Sequence, residues 1–316
     1  MNALPFRPDR KLTDVLKENR FTLSAEIIPP RNGAEQRGIL EQIQALIGAG
    51  AQFLAVTKGA GGSLRGGSLP IAQAIKENFG VPCIAHFTCR DITPADVENQ
   101  LMDHHYFGIR NILALRGDPP DGQPNWTPAP GGYHYAYQLI EQIKKLNDGE
   151  FLTRAGTGPN ASGSKERTDF CIGCAVYPEA EKLDEQIGYY KLKADAGAQY
   201  AITDMLYDVD QYSRFVEKSA KLGISLPVLP GTRVLKSKIQ ALKMMQKFKV
   251  KVPAYVLDKL PEVETADSFM IGVELALDFA DRLKSAGAPG LHFFVIGNTI
   301  GAATSLKTLA MKGKIG

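Results

Sequence analysis

Residues 82–115 read PCIAHFTCRDITPADVENQLMDHHYFGIRNILAL. Two short apolar runs, 82–87 and 111–115, flank a helix-length amphipathic segment, 94–105. Short apolar runs suit strands buried on both faces, and a helix between two such strands implies a right-handed crossover and parallel pairing. The pattern extends in both directions. Upstream lie a strand at 21–28 stopped by Pro29-Pro30, a helix at 34–48 with Ile39, Ile43, Leu46 and Ile47 on one face, a strand at 52–57 and a helix at 68–79. Downstream come a helix at 135–146, a strand at 169–176, a helix at 183–196, a strand at 200–203, a helix at 209–222, a strand at 226–229, helices at 236–248 and 266–285, and an eighth strand at 290–296. Eight strand–helix units close a (β/α)8 TIM barrel, and one barrel fits 316 residues as a single catalytic domain over 1–316. A doubly wound sheet is the structural rival. It needs a reversal of strand order that a sequence does not display, and the count of eight favours the barrel.

Composition narrows the function classes. Lys plus Arg total 37 and Asp plus Glu 34, a net charge of +3, which points away from nucleic acid or an anionic membrane as the main partner. Hydrophobic residues at 44% and charged residues at 22% are ordinary globular proportions. No apolar run approaches the ~18 residues of a membrane span, and the polar first twenty residues do not resemble a secretory signal. A cytoplasmic location is expected, with Cys83, Cys89, Cys171 and Cys174 as thiols. Two segments break the regularity. Residues 119–132 are rich in proline and glycine and follow strand four, on the active-site face. Residues 149–168 precede strand five, so a flexible insert is expected on the opposite face.

Barrel sites are built where strands end and the following loops begin. Glu26, in strand one, is a carboxylate inside an apolar run. Burial disfavours the charged form of an unpaired carboxylate, which suits a general acid; pairing with an interior Lys or Arg is the equal alternative. Thr57 ends strand two before a Gly-rich turn, 59–63, which is neither a Walker loop nor GxGxxG and on its own reads as an ordinary loop. His86 ends strand three, as a site residue or a satisfied core histidine. Arg116, Gly117 and Asp118 end strand four. Arg binds phosphate bidentately and Asp accepts from heterocycle N–H groups, while a strand-capping ion pair is the alternative. Tyr177 ends strand five, and Thr203-Asp204 ends strand six. Lys193, near its helix end, could bond the last carbonyls or reach a ligand phosphate, and its position favours the carbonyls. Cys171 and Cys174 form a lone C-x-x-C inside a strand, and His104-His105 are neighbours on a helix, so neither reads as a metal site. No H-E-x-x-H or G-x-S-x-G occurs.

Taken in order, Glu26 before Pro29-Pro30, Val56-Thr57 before the Gly-rich turn, His86-Phe87-Thr88-Cys89, Leu115-Arg116-Gly117-Asp118-Pro119, Tyr177-Pro178-Glu179, Lys193 through Ala198, Ile202-Thr203, Pro230-Gly231 and Leu291-His292-Phe293-Phe294 resemble the methylenetetrahydrofolate reductase family. The resemblance runs from about residue 20 to the C-terminus. It implies a (β/α)8 barrel holding FAD, in one-carbon metabolism and methionine biosynthesis. NADH or NADPH would reduce the flavin and leave. 5,10-Methylenetetrahydrofolate would then accept hydride from flavin N5 in a ping-pong sequence, giving 5-methyltetrahydrofolate. Glu26 matches the acid that promotes opening of the imidazolidine ring, and Asp118 the carboxylate near flavin and pterin. Thr57, His86, Arg116, Gly117, Asp118, Tyr177 and Lys193 match flavin-site positions, and Tyr135-Ala136 resembles the segment near the adenosine. Glu26, Asp118 and Asp204 are the substrate-binding candidates, with no metal. A homo-oligomer follows only by analogy.

Three departures stand out. Asp204 replaces the family's usual Gln, which helps hold the folate. Ala180-Glu181-Lys182 stands where His-Pro usually follows Tyr-Pro-Glu, with a shorter connection to Lys193, and Leu192 stands where Arg is common. The 149–168 insert departs from compact members, and the length fits the catalytic barrel without a regulatory domain. Two alternatives remain: a paralogous flavoenzyme acting on another one-carbon or pterin substrate, and a non-catalytic flavin- or partner-binding subunit. Retention of Glu26 and Asp118 argues against the second, because binding alone does not require an acid at that position.

Overall fold

The computed structural model describes residues 6–19, 21–30, 34, 37–59, 66–119, 126–152, 166–265 and 267–315. Eight strands, β1 (Thr22–Ile27), β2 (Phe53–Val56), β3 (Cys83–Thr88), β4 (Asn111–Leu115), β5 (Cys171–Val176), β6 (Tyr200–Met205), β7 (Val228–Thr232) and β8 (Gly290–Phe294), pair in parallel and in sequence order into a closed barrel. β8 returns to β1 through the register Ser24↔His292 and Glu26↔Phe294, which closes the ring and excludes the doubly wound alternative. The connecting helices are α2 (Arg37–Gly48), α3 (Ser68–Ala74), α4 (Pro94–Tyr106), α5 (Ala136–Asn147), α6 (Leu183–Asp195), α7 (Val209–Lys221), α8 (Lys238–Phe248), the short α9 (Ala254–Leu257) and α10 (Ser268–Ser285); α11 (Ile300–Ile315) follows β8. No helix among the described residues is long and apolar enough to cross a membrane.

The helices form where the sequence supplies both a cap and an apolar stripe. Thr93 opens α4 through a capping box with Asp96, with Pro94 at the first helical position, where its missing N–H costs nothing. Val97 and Leu101, four apart, bury against the barrel wall. The expected helix at 68–79 divides into α3 and a π-helical stretch, Ile75–Phe79. Strands are buried on both faces. The outer faces meet the helices, and the inner faces pack Phe53, Ile84, Leu113, Tyr200, Ile202 and Leu229 along the barrel axis. Gly173 makes that filling possible, since a Cβ there would run into the Tyr200 ring. Cys171 points into this interior cluster, while Cys174 joins the outer one. Three residues apart on a strand, the two thiols face opposite ways.

The floor of the barrel is closed by α1 (Leu12–Glu18), a helix absent from the sequence reading. Leu12 and Val15 enter the interior cluster, each burial contributing about 1.5–3 kcal/mol. Asn111, at the start of β4, accepts from the Leu12 N–H at 2.7 Å and donates to the Arg10 carbonyl at 2.8 Å. Asp9 accepts from the Cys83 N–H at 2.9 Å. The sequence candidates gather at the opposite, C-terminal end of the barrel. The flanks of the 149–168 segment lie on the floor side. The Leu152 N–H donates to Glu98 and the Thr168 N–H to the Leu146 carbonyl. Residues 153–165, 120–125 and 60–63 of the segments singled out above fall outside the described residues.

Candidate active site

Glu26 projects into the barrel near its mouth, only 14% exposed in its side chain. Two imidazoles flank it, rather than the Lys or Arg weighed above. His86 Nε2 from β3 lies 3.3 Å from Glu26 Oε2, and His292 Nε2 from β8 lies 3.8 Å from the same oxygen. Ser24, two residues before Glu26 and so on the same face of β1, sits with its Oγ 2.8 Å from His292 Nδ1. That contact fixes the ring with Nε2 turned toward the carboxylate. Burial lowers the His86 pKa below its ordinary value; Glu26 opposes the shift and His292 adds to it. His86 is therefore a neutral imidazole at neutral pH. Phe53 stacks on the His292 ring at 6.1 Å and Phe294 meets it edge-on at 5.4 Å, so the triad stands on an apolar base.

The β4 loop forms a second part of the mouth. Gly117 has φ +94°, and a Cβ there would lie 2.9 Å from Arg90 Cβ and 3.3 Å from Thr88 Cβ. Glycine is needed for both the conformation and the close approach. Arg90, buried at the end of β3, donates to the Asp118 carbonyl, and Cys89 Sγ reaches the Arg116 carbonyl at 3.6 Å. The loop is thereby clamped, while the Arg116 and Asp118 side chains stay exposed. The Arg90 and Cys89 contacts to the backbone of the turn hold it. Thr57 and Thr88 are buried beside this region with hydroxyls that have no hydrogen-bond partner among the described residues.

The β5 and β6 ends supply a third part. Lys193 Nζ donates to the Ala175 carbonyl in β5 at 2.8 Å rather than to its own helix end, and lies 5.8 Å from the Tyr177 ring centre. Burial lowers its pKa, with Cys174 opposing. Desolvation by neighbouring groups pushes the hydroxyl of Tyr177, a residue still 41% exposed, up to about 12; Asp204 and Asp118 add to the shift and Arg116 opposes it. These four groups are thus near enough to act on one another. Asp204 owes its position to a bulge. Ile202 pairs with Leu229 but Met205 with Gly231, so β6 carries one extra residue. Thr203 Oγ1 fills the gap by accepting from the Gly231 N–H at 2.9 Å. Burial, reinforced by Glu179, pushes the Asp204 carboxyl up to about 7, and its Oδ1 has no partner among the described residues. Glu179, buried and accepting from the Lys251 N–H at 2.9 Å, is likewise pushed by burial to about 7.

Tyr135 and Ala136 lie on the outer rim, at the N-terminus of α5. Beside the mouth, a cavity of about 460 Å³ opens between the ends of β7 and β8 and α8, lined by Arg233, Lys243, Lys247, Met244, Phe248 and Ile296. The structure therefore joins Glu26 to His86, and brings Arg116, Asp118, Tyr177, Lys193 and Asp204 near one another at the strand ends. It adds His292, Arg90 and Glu179, which the sequence reading did not select. The signal for His292 was available: it is a polar residue at an inward position of an otherwise apolar strand.

The methylenetetrahydrofolate reductase family model matches residues 11–309. Methylenetetrahydrofolate reductase 1 of Schizosaccharomyces pombe is 31% identical over 287 residues, covering 88% of this chain and 44% of that protein. Methylenetetrahydrofolate reductase (NADH) 1 of Arabidopsis thaliana is 30% identical over 289 residues, covering 90% and 48%. The 5,10-methylenetetrahydrofolate reductase of Escherichia coli is 28% identical over 289 residues, covering 88% and 87%. The chain thus spans about half the length of the S. pombe and Arabidopsis relatives. Among solved structures, an uncharacterized protein from Clostridium thermocellum that binds two copies of 5-methyl-5,6,7,8-tetrahydrofolic acid superposes with a TM-score of 0.59 over 95% of this chain and 98% of that one, at 14% identity. That likeness is one of fold. With the family model spanning the barrel from its floor to α11, and relatives of that name matching across nine-tenths of its length, the chain belongs to the methylenetetrahydrofolate reductase family.

Proposed function

We propose that this chain reduces 5,10-methylenetetrahydrofolate to 5-methyltetrahydrofolate, with NADH or NADPH as donor and FAD at the C-terminal end of the barrel. The observation that carries the reading is the Glu26 carboxylate held between two buried imidazoles at the mouth of a barrel of this family. The residues present fit a flavin. The orphaned Thr57 and Thr88 hydroxyls offer hydrogen bonds to a polar heterocycle, and the tight Gly117 turn lets backbone approach a ring closely. Arg116, Tyr177 and Lys193 would complete its setting. When bound, FAD supplies hydride transfer from the nicotinamide to the one-carbon unit.

The protein's own part is proton control and charge. Glu26 delivers a proton to the folate nitrogen that must leave for the imidazolidine ring to open. A neutral His86, its Nε2 3.3 Å from the carboxylate and without a hydrogen-bond partner among the described residues, adds no positive charge beside it. His292, oriented by Ser24, approaches the same Glu26 oxygen as His86 and limits where that oxygen can swing. Asp118, exposed at the mouth, stabilises the cation that forms on ring opening. Asp204 contacts the pterin in place of the family's amide. Below about pH 7 it is a neutral acid that both donates and accepts, as an amide does. The adjoining cavity, with apolar walls and the cations Arg233, Lys243 and Lys247, would take the aryl and glutamyl end of the folate.

The test is oxidation of NADH or NADPH by clean, flavin-loaded protein. Saturable dependence on methylenetetrahydrofolate is the expected result, and absence of turnover overturns the reading. Asp204 also favours one rival, a paralogue for another reduced pterin. A substrate panel in which a different compound gave much the higher kcat/KM would establish it.

A further inference from the structure

The two described ends of the β4–α5 connection are held from one place, the segment that follows β3. At the near end, Arg90 donates to the Asp118 carbonyl, and Cys89 Sγ lies 3.6 Å from the Arg116 carbonyl. At the far end, the Trp126 indole N–H donates to Asp91 Oδ1 at 2.5 Å, and Cys89 Sγ lies 3.9 Å from the Tyr133 carbonyl. Gly132 packs so closely there that a Cβ would lie 3.0 Å from the Ile92 carbonyl oxygen. Residues 89–92 thus meet both ends of the chain that leaves β4 and returns at α5.

Asp91 joins the two sets of contacts. Its Oδ2 accepts from Arg90 Nε at 3.1 Å while its Oδ1 accepts from Trp126. Neighbours on a continuing strand face opposite ways. Asp91 instead has φ +57°, one of two non-glycine residues with positive φ among the described residues, and this left-handed turn brings its carboxylate back beside Arg90. Asp adopts that conformation more readily than most side chains, yet a residue held there points to a constraint. The constraint is chemical. The Arg90 side chain is only 4% exposed, and a guanidinium buried that deeply needs an anion in contact. With Asp91 on Nε, Nη1 is aimed at the Asp118 carbonyl. A path of hydrogen bonds therefore runs from Trp126 through Asp91 and Arg90 to Asp118.

We infer that Asp91 is a positioning residue for Asp118: by holding the Arg90 guanidinium and the Trp126 indole together, its carboxylate sets where Asp118 stands at the mouth. The inference rests on the part given to Asp118 in the reaction proposed above. Asp91 acts through the backbone and exchanges no proton with the substrate.

Asp91→Gly removes the carboxylate and keeps the backbone, since glycine adopts a positive φ freely. In flavin-loaded protein its kcat with methylenetetrahydrofolate should fall about tenfold, the scale of a small misplacement of a reacting group. In an Asp118→Asn background the same change should cost less than about twofold, because the group that Asp91 positions is already gone. Losses that multiply, or a kcat unchanged by Asp91→Gly, overturn the inference. Trp126 is the chain's one tryptophan, so an isotope label on the indole nitrogen gives a single N–H resonance. That resonance should move upfield in Asp91→Gly, and an unmoved one overturns the contact. Amide hydrogen exchange, read by mass spectrometry, tests the tie without turnover. Asp91→Gly should speed exchange about tenfold at 116–118 and at 126–133 together, and leave α1 at the barrel floor unchanged. Faster exchange at 126–133 alone would show that Arg90 holds Asp118 unaided, and the inference fails. If the wild type does not turn over methylenetetrahydrofolate, it is the proposed reaction that falls. Exchange at 116–118 then decides whether Asp91 positions that turn: faster in Asp91→Gly supports it, and unchanged overturns it.

Discussion

The Glu26 carboxylate has His86 Nε2 at 3.3 Å and His292 Nε2 at 3.8 Å from one of its oxygens. A proton donor in that setting is removed by a change that preserves its shape. Glu26→Gln should fold normally and lose about 10²–10⁴ in kcat, as for other general acids. Unchanged turnover would remove Glu26 from the mechanism. Ser24→Ala deletes one hydrogen bond to His292, worth about 0.5–1.5 kcal/mol, so kcat should fall tenfold or less with KM little altered. Asp204 makes a different prediction. With its carboxyl at about 7, it changes from neutral donor to anion as pH rises through that value. The KM for the folate should therefore climb between about pH 6 and 8, and Asp204→Gln, never charged, should flatten the profile. The sequence made Glu26, His86 and Asp204 legible as polar residues at strand ends. It did not show which of them would meet. The His292–Glu26 contact joins the first and last strands and exists only once the barrel closes.

Elements were legible where the signal is local. Every strand of the barrel is visible as a short apolar run, because parallel strands under helices are buried on both sides. Boundaries shift by a few residues, most instructively at β6. Its apolar run ends at Thr203, yet the strand continues to Met205 through the bulge that sets Asp204 at the mouth. What holds the bulge is the Thr203 hydroxyl accepting from Gly231 in β7, a tertiary bond that single-strand periodicity does not report. Thr203→Val keeps the shape and removes that acceptor. It should lower stability by about 1–3 kcal/mol, read as a drop in Tm, and raise the KM for the folate more than it lowers kcat. Equal Tm values for the two proteins would show that the bulge does not depend on this bond. α1 was invisible for a related reason: seven residues do not form a helix alone, and its stability comes from the floor it plugs.

At the scale of the molecule, that floor makes the N-terminal segment part of the barrel's closure. Asp9 links it to β3 and β4, accepting from Cys83 N–H and from Asn111 Nδ2 at 3.2 Å. Burial pushes its carboxyl up to about 7, against the lowering effect of these hydrogen bonds and of Lys76. In the unfolded chain an Asp titrates near about 4. Between the two values the folded protein binds more protons than the unfolded one, so this group's contribution is most favourable below about pH 4 and is lost as pH rises to about 7. Other carboxylates act in the opposite sense: Thr93 lowers Asp96 and Lys218 lowers Asp184, so stability from these is lost as pH falls. The total pH profile therefore does not isolate Asp9, but a difference does. Asp9→Asn carries no charge at any pH, so the Tm of the variant minus that of the wild type should grow as pH climbs from about 4 to 7 and then level off. A difference that stays flat, or shrinks over that range, would mean that Asp9 ionises without cost and that the floor is held by Asn111 and the apolar contacts of α1 instead.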